Sequence, residues 1–183
     1  ICLAIIVTIL ASITSSKAEI ISDFSPFSNR SIEIEPGLLS ASEHSDFQKK
    51  LSAVEATTQF YQSRNGQAFW MSNSSVYSKA ERMIKAIEES WTHGLNPETY
   101  HYTDLYNLLK SAEPQDKQKL DILLTDAFLR YAHDLTGMRV SPKLFGMRAS
   151  DWRQGMEGQE ALALLTAEPD DMDGVLKSLE PQG

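Results

Sequence analysis

The side chains that could do chemistry in this chain are its histidines, paired carboxylates, arginines and a single cysteine, and their spacings decide what that chemistry could be. The four histidines are His44, His93, His101 and His133. No two of them have the H-E-x-x-H or H-x-x-x-H spacing that sets two imidazoles on one helix face for zinc. All four are expected as cap or surface residues. Carboxylate pairs occur at Glu88 with Glu89 and at Asp126 with Asp134. The first two are adjacent and cannot share a helix face, and the second two lie two helical turns apart, which makes a poor glycosidase pair. Serines are plentiful, but none occupies a G-x-S-x-G elbow, and no glycine cluster forms a phosphate-cradling loop. Asp170, Asp171 and Asp173 precede Gly174, yet they lack the alternating oxygens and twelfth-position Glu of a calcium loop, so a solvated acidic edge is expected. Arg64 and Arg139 are the two candidates for holding an anion, in competition with an ion pair to Asp121 or Asp134. No catalytic residue, metal ligand or cofactor site is expected from these patterns.

The elements that would position such residues are helical. The first eleven residues form an apolar block too short to span a bilayer, and Ser16 and Ala18 suit a signal-cleavage site after Ala18. Residues 1–18 are therefore expected to be a signal peptide that directs export to the periplasm and leaves no stable membrane span. Cys2 lies within it, so the mature part would carry no thiol and no disulfide. Residues 19–44, rich in Ser with Pro26 and Pro36, are expected to be an extended leader.

A folded domain is expected over residues 45–183. Ser45 and Gln48 have capping-box spacing ahead of a helix with Phe47, Leu51, Val54, Thr58 and Tyr61 on its stripe, ending near Asn65 and Gly66. A second helix carries Val76, Ala80, Met83, Ile84, Ile87 and Trp91, with Gly94 as its left-handed stop and Leu95 folding back onto it. Asn96 and Pro97 then read as N-cap and first helical residue of a new turn. A short segment follows with Leu105, Leu108 and Leu109. Pro114 opens the longest helix, whose stripe is Leu120, Leu124, Ala127, Phe128, Tyr131 and Leu135 and whose end is at Gly137. Two brief helices, 161–166 and 174–179, complete an all-α irregular orthogonal bundle of five to seven helices. The composition fits one soluble domain: 183 residues, 42% hydrophobic, 23% charged, net charge −8. The acidic balance excludes a nucleic-acid binder that works through lysine and arginine contacts to phosphate.

Two blocks stand out in this order: W-x-x-G-L-x-P-x-x-Y over Trp91 to Tyr100, and L-D-x-x-L-T-x-A-x-x-x-Y-x-x-D-L-x-G-x-R-V-x-P over Leu120 to Pro142. Together they resemble the helical scaffold domain on the N-terminal side of large periplasmic L,D-transpeptidases, the YcbB-like murein cross-linking enzymes. The resemblance runs from Leu51 to Pro181. It implies a parent enzyme that cross-links peptidoglycan in cell-wall remodelling, with a catalytic domain C-terminal to the scaffold as its partner. That catalytic domain uses a His and an S-x-G-C nucleophile, which suits acyl transfer once a base lowers the thiol pKa. Cys2 does not match the motif, and none of the four histidines matches the catalytic position. The implied role here is a non-catalytic, C-terminally truncated scaffold. A stand-alone periplasmic helical module that associates with peptidoglycan or a partner is the second reading, and an independent hydrolase using a carboxylate pair ranks below both.

Overall fold

The computed structural model describes residues 32–39, 46–71, 76–137, 144, 146, 148 and 154–180. Seven α-helices lie among them: α1 (Pro36–Leu39), α2 (Val54–Ser63), α3 (Val76–Glu88), α4 (Tyr102–Lys110), α5 (Pro114–Thr136), α6 (Gly158–Ala167) and α7 (Met172–Leu179). The expected all-α class holds, with five of the seven helices packed against α5.

Helix α5 is the centre of the bundle. Its apolar residues are not confined to the one stripe expected. Ile122, Leu123 and Leu129 are buried along with Leu120, Leu124 and Phe128, and a helix covered on nearly all sides is what an apolar circumference requires. Pro114 stands at its first turn, where a missing N–H costs nothing, and Gly137 follows its last residue. At Gly137 the chain passes so close to Gly155 that a Cβ would meet the Gly155 nitrogen at 2.5 Å, so a side chain is excluded there.

The expected first helix is interrupted. A 3-10 turn, Gln48–Lys50, precedes a break at Leu51, Ser52 and Ala53 before α2 begins. The physical cause lies on α5: Asp126 Oδ1 accepts the backbone N–H groups of Ser52 (2.8 Å) and Ala53 (2.6 Å), so these donors are held by a distant carboxylate. Gln48 Nε2 donates to the Leu38 carbonyl at 3.5 Å, and Ser45, the other member of the expected capping box, lies outside the described residues.

Residues 32–39 correct the expected leader. Ile34 is buried in the core, its N–H bonds to the Gly66 carbonyl at 2.7 Å, and Glu33 bridges Gln67 in antiparallel fashion. Gln118 of α5 accepts the Glu35 N–H at 3.1 Å, which fixes this segment to the bundle. The expected signal segment and the first part of the leader lie outside the described residues.

The stop after α3 forms as the spacing predicts. Gly94 has φ +70°, the Gly94 N–H reaches the Trp91 carbonyl and the Leu95 N–H the Ser90 carbonyl, the paired bonds of a Schellman turn. Leu95 is buried beneath it. Trp91, however, is 68% exposed and not on the core stripe. After Glu88 the chain tightens to a 3-10 helix (Glu89–His93), in which residues three apart eclipse. Ser90, three after Ile87, therefore inherits the core position and Trp91 rotates outward. Asn96 caps the next 3-10 turn (Pro97–Tyr100) by accepting the Glu98 N–H, with Pro97 at its start.

Candidate functional site

Three carboxylates and a threonine on α5 collect the polar contacts of the bundle. Asp121 is fully buried. Its Oδ1 accepts from the Phe69 N–H (2.9 Å) and the Tyr61 hydroxyl (2.7 Å), and its Oδ2 from the Met71 N–H (2.8 Å). One turn on, Thr125 Oγ1 lies 2.8 Å from the same Tyr61 hydroxyl and accepts the Trp70 indole N–H at 2.9 Å. The irregular segment carrying Phe69, Trp70 and Met71 thus satisfies its backbone donors on a helix side chain, as buried amides must. Around it, Phe60 and Phe69 pack edge-to-face at 5.6 Å, and Phe69 and Trp70 at 5.4 Å. Burial raises the Asp121 carboxyl above its ordinary pKa, against the pull of its hydrogen-bond donors, and burial beside that carboxylate raises the Tyr61 hydroxyl well above its own.

Asp126, also fully buried, uses Oδ1 to hold Ser52 and Ala53 and places Oδ2 3.0 Å from His101 Nε2. His101 has φ +62°, a left-handed conformation costing a non-glycine residue about 1–2 kcal/mol. The contact to Asp126 pins that turn just before α4. His101 thus takes the cap position before α4, one of the two places expected for it, with its side chain 12% exposed. Asp134 accepts the Tyr100 hydroxyl at 2.9 Å, and Tyr100 packs edge-to-face on Tyr131 at 5.5 Å. The residues of the G-L-x-P-x-x-Y turn and of the long second block meet here.

The carboxylate pairs weighed for hydrolysis form no dyad. Asp126 and Asp134 serve different partners, Glu88 accepts the Tyr102 hydroxyl at 2.9 Å, and Glu89 faces Lys85 at 3.7 Å. His93 and His133 are exposed, and His133 Nδ1 stands 3.3 Å from the Met156 carbonyl. Asp171 caps α7 by accepting the Gly174 N–H at 2.9 Å, and Asp173 pairs with Arg82 of α3. Among the described residues, no group of three or more His, Cys, Asp or Glu is arranged to hold a metal ion.

Arg64 does not form the ion pair considered for it. Its guanidinium carbon lies 5.4 Å from the Phe60 ring centre and 5.1 Å from that of Phe69, with Nε 3.4 Å from the Gln67 carbonyl. Asp121, the partner proposed from sequence, is turned inward to backbone N–H groups. Arg139, His44 and the thiol of Cys2 lie outside the described residues. Arg64 instead borders an open groove of about 370 Å³ between α2 and α6.

Sequence reasoning did not assign the roles of Asp121 and His101. The available signal was an Asp inside the run L-D-I-L-L-T-D-A-F-L, where a helix apolar on all sides leaves a carboxylate no route to water, so donors must come to it.

Comparison with curated proteins gives no match, and neither does comparison with solved structures. The family model described as Scaffold domain matches residues 55–183, more than half of the chain, consistent with a scaffold domain of L,D-transpeptidases. That span takes in α2 through α7 and every carboxylate of the central helix, and on it the chain belongs to the Scaffold domain family.

Proposed function

We propose that this domain is the non-catalytic scaffold of an exported L,D-transpeptidase, and that it holds a catalytic domain which cross-links peptidoglycan in the periplasm. The observation that carries the reading is the family match over 55–183, which contains the two blocks that resemble the enzymes' scaffold. The side-chain chemistry agrees with a positioning role. Asp121, Thr125, Asp126 and Asp134 spend their oxygens on segments of the same domain, tying three irregular stretches to one central helix. Buried, satisfied networks of this kind hold one geometry, which a scaffold must supply.

Sequencing the reading frame on both sides of this chain tests the reading. An in-frame S-x-G-C segment downstream is the expected result. A stop codon directly after Gly183, with no such segment following, refutes it. A transpeptidation assay of the complete gene product on tetrapeptide-bearing muropeptides then tests the activity, with acyl transfer expected.

A further inference from the structure

We propose that the groove between α2 and α6 binds the carboxylate end of an extended peptide, with Arg64 taking the carboxylate. The proposal stands on the geometry of Arg64 and does not depend on the transpeptidase reading. Arg64 follows the last residue of α2, where the roughly half-unit negative charge of a helix end attracts a cation of full charge. Its guanidinium is also held against the faces of Phe60 and Phe69. Nε is the guanidinium nitrogen with a protein acceptor, the Gln67 carbonyl, and that bond is long at 3.4 Å. The other guanidinium donors have no protein partner among the described residues, while the two ring contacts and the Nε bond position the group at the groove. A fixed guanidinium fork is the group that takes a carboxylate through two parallel hydrogen bonds.

The walls fit the rest of a peptide. Phe60 and Leu162 supply an apolar floor, with Ala163 beside them. Gln59 of α2 and Gln159 of α6 stand at the edges, both exposed, and each amide can donate to a peptide carbonyl and accept from a peptide N–H. Gln59 uses one donor on Glu55 at 3.2 Å, which leaves its carbonyl for a ligand N–H. An apolar floor with a few convergent polar groups and one charge is the usual make-up of a small-ligand site. An inorganic anion would use Arg64 and leave this floor and both amides idle, so the peptide acid is the better occupant.

The experiment titrates the full chain with tetra-alanine as the free acid, as the C-terminal amide, and with inorganic phosphate, following amide chemical shifts. Saturable binding of the acid is expected, with shifts at α2 and α6, and the amide is expected to bind about tenfold more weakly or worse, the size of one charge-assisted pair. Arg64→Gln should weaken the acid to the level of the amide and leave the amide unchanged. Arg64→Lys should recover part of the difference, since it restores the charge without the fork. The wild-type comparison of acid with amide stands even if a variant fails to fold. Equal affinity for acid and amide, no saturation by about 10 mM, shifts away from α2 and α6, or phosphate binding as tightly as the acid would each overturn the proposal.

Discussion

Replacing Asp121 by Asn is the sharpest test of the view that α5 organises the bundle through its side-chain oxygens. The two backbone donors that reach Asp121 use different oxygens, Phe69 N–H on Oδ1 and Met71 N–H on Oδ2. An Asn amide has one oxygen and one NH₂, so in either flip state one buried N–H faces another donor. Leaving a buried donor unsatisfied costs about 1–3 kcal/mol, and bonds to charged groups are at the upper end. Asp121→Asn should therefore destabilise by about 2–3 kcal/mol. Asp121→Ala strands both donors and should cost about 2–6 kcal/mol, a large share of the 5–15 kcal/mol typical of a domain. Tyr61 blunts the loss because its hydroxyl also reaches the Asp121 carbonyl at 2.7 Å and Thr125.

Urea unfolding followed by the helical circular dichroism signal measures both variants. The pH dependence adds a second readout with a defined sign. Burial raises the Asp121 carboxyl, so above the ordinary Asp value of about 3.9 the unfolded chain loses its proton while the folded chain keeps it. The contribution of this group is then full below that value and declines as pH rises through the window up to the raised value. The stability difference between wild type and Asp121→Asn should accordingly shrink with rising pH in that window. An Asn variant within about 0.5 kcal/mol of wild type, the range of an ordinary surface change, or a difference that grows with pH, would refute the reasoning.

Other substitutions separate packing from position. Trp91→Ala should change stability by no more than about 0.5 kcal/mol, whereas Trp70→Ala, at a fully buried site, should cost about 3–5 kcal/mol in the same unfolding assay. Gly94→Ala should cost about 1 kcal/mol from the left-handed backbone alone, since a Cβ there meets nothing within 4 Å. Gly155→Ala should lower the thermal midpoint more than Gly94→Ala does, because its Cβ would collide with the His133 carbonyl oxygen, a backbone atom that cannot turn aside.

How far the fold was legible follows from the range of each interaction. Pro114 and Gly137 bracket α5, and Gly94, Asn96 and Pro97 build their turns as their spacing predicts, because caps and turns are satisfied within a few residues. The start of α2 was misplaced since its donors are taken by Asp126, 73 and 74 residues away. Trp91 was misplaced by a local change of helical pitch that an apolar stripe does not record. Ile34 looked like part of a leader because a single buried side chain in a serine-rich stretch has no period to reveal it.

The groove beside Arg64 shows the same division. The sequence by itself marked Arg64 as a cation worth watching, and it determined the all-α class and the turns at Gly94, at Asn96 and Pro97 and at Pro114, which depend on neighbours along the chain. Which carboxylate Arg64 would meet was decided by tertiary packing. With Asp121 turned inward to the Phe69 and Met71 amides, which have no water to bond to, the guanidinium was left to two aromatic faces and an open groove. A buried donor without a partner costs more than a half-exposed cation without a counter-ion, so the interior claims the carboxylate and the surface keeps the charge.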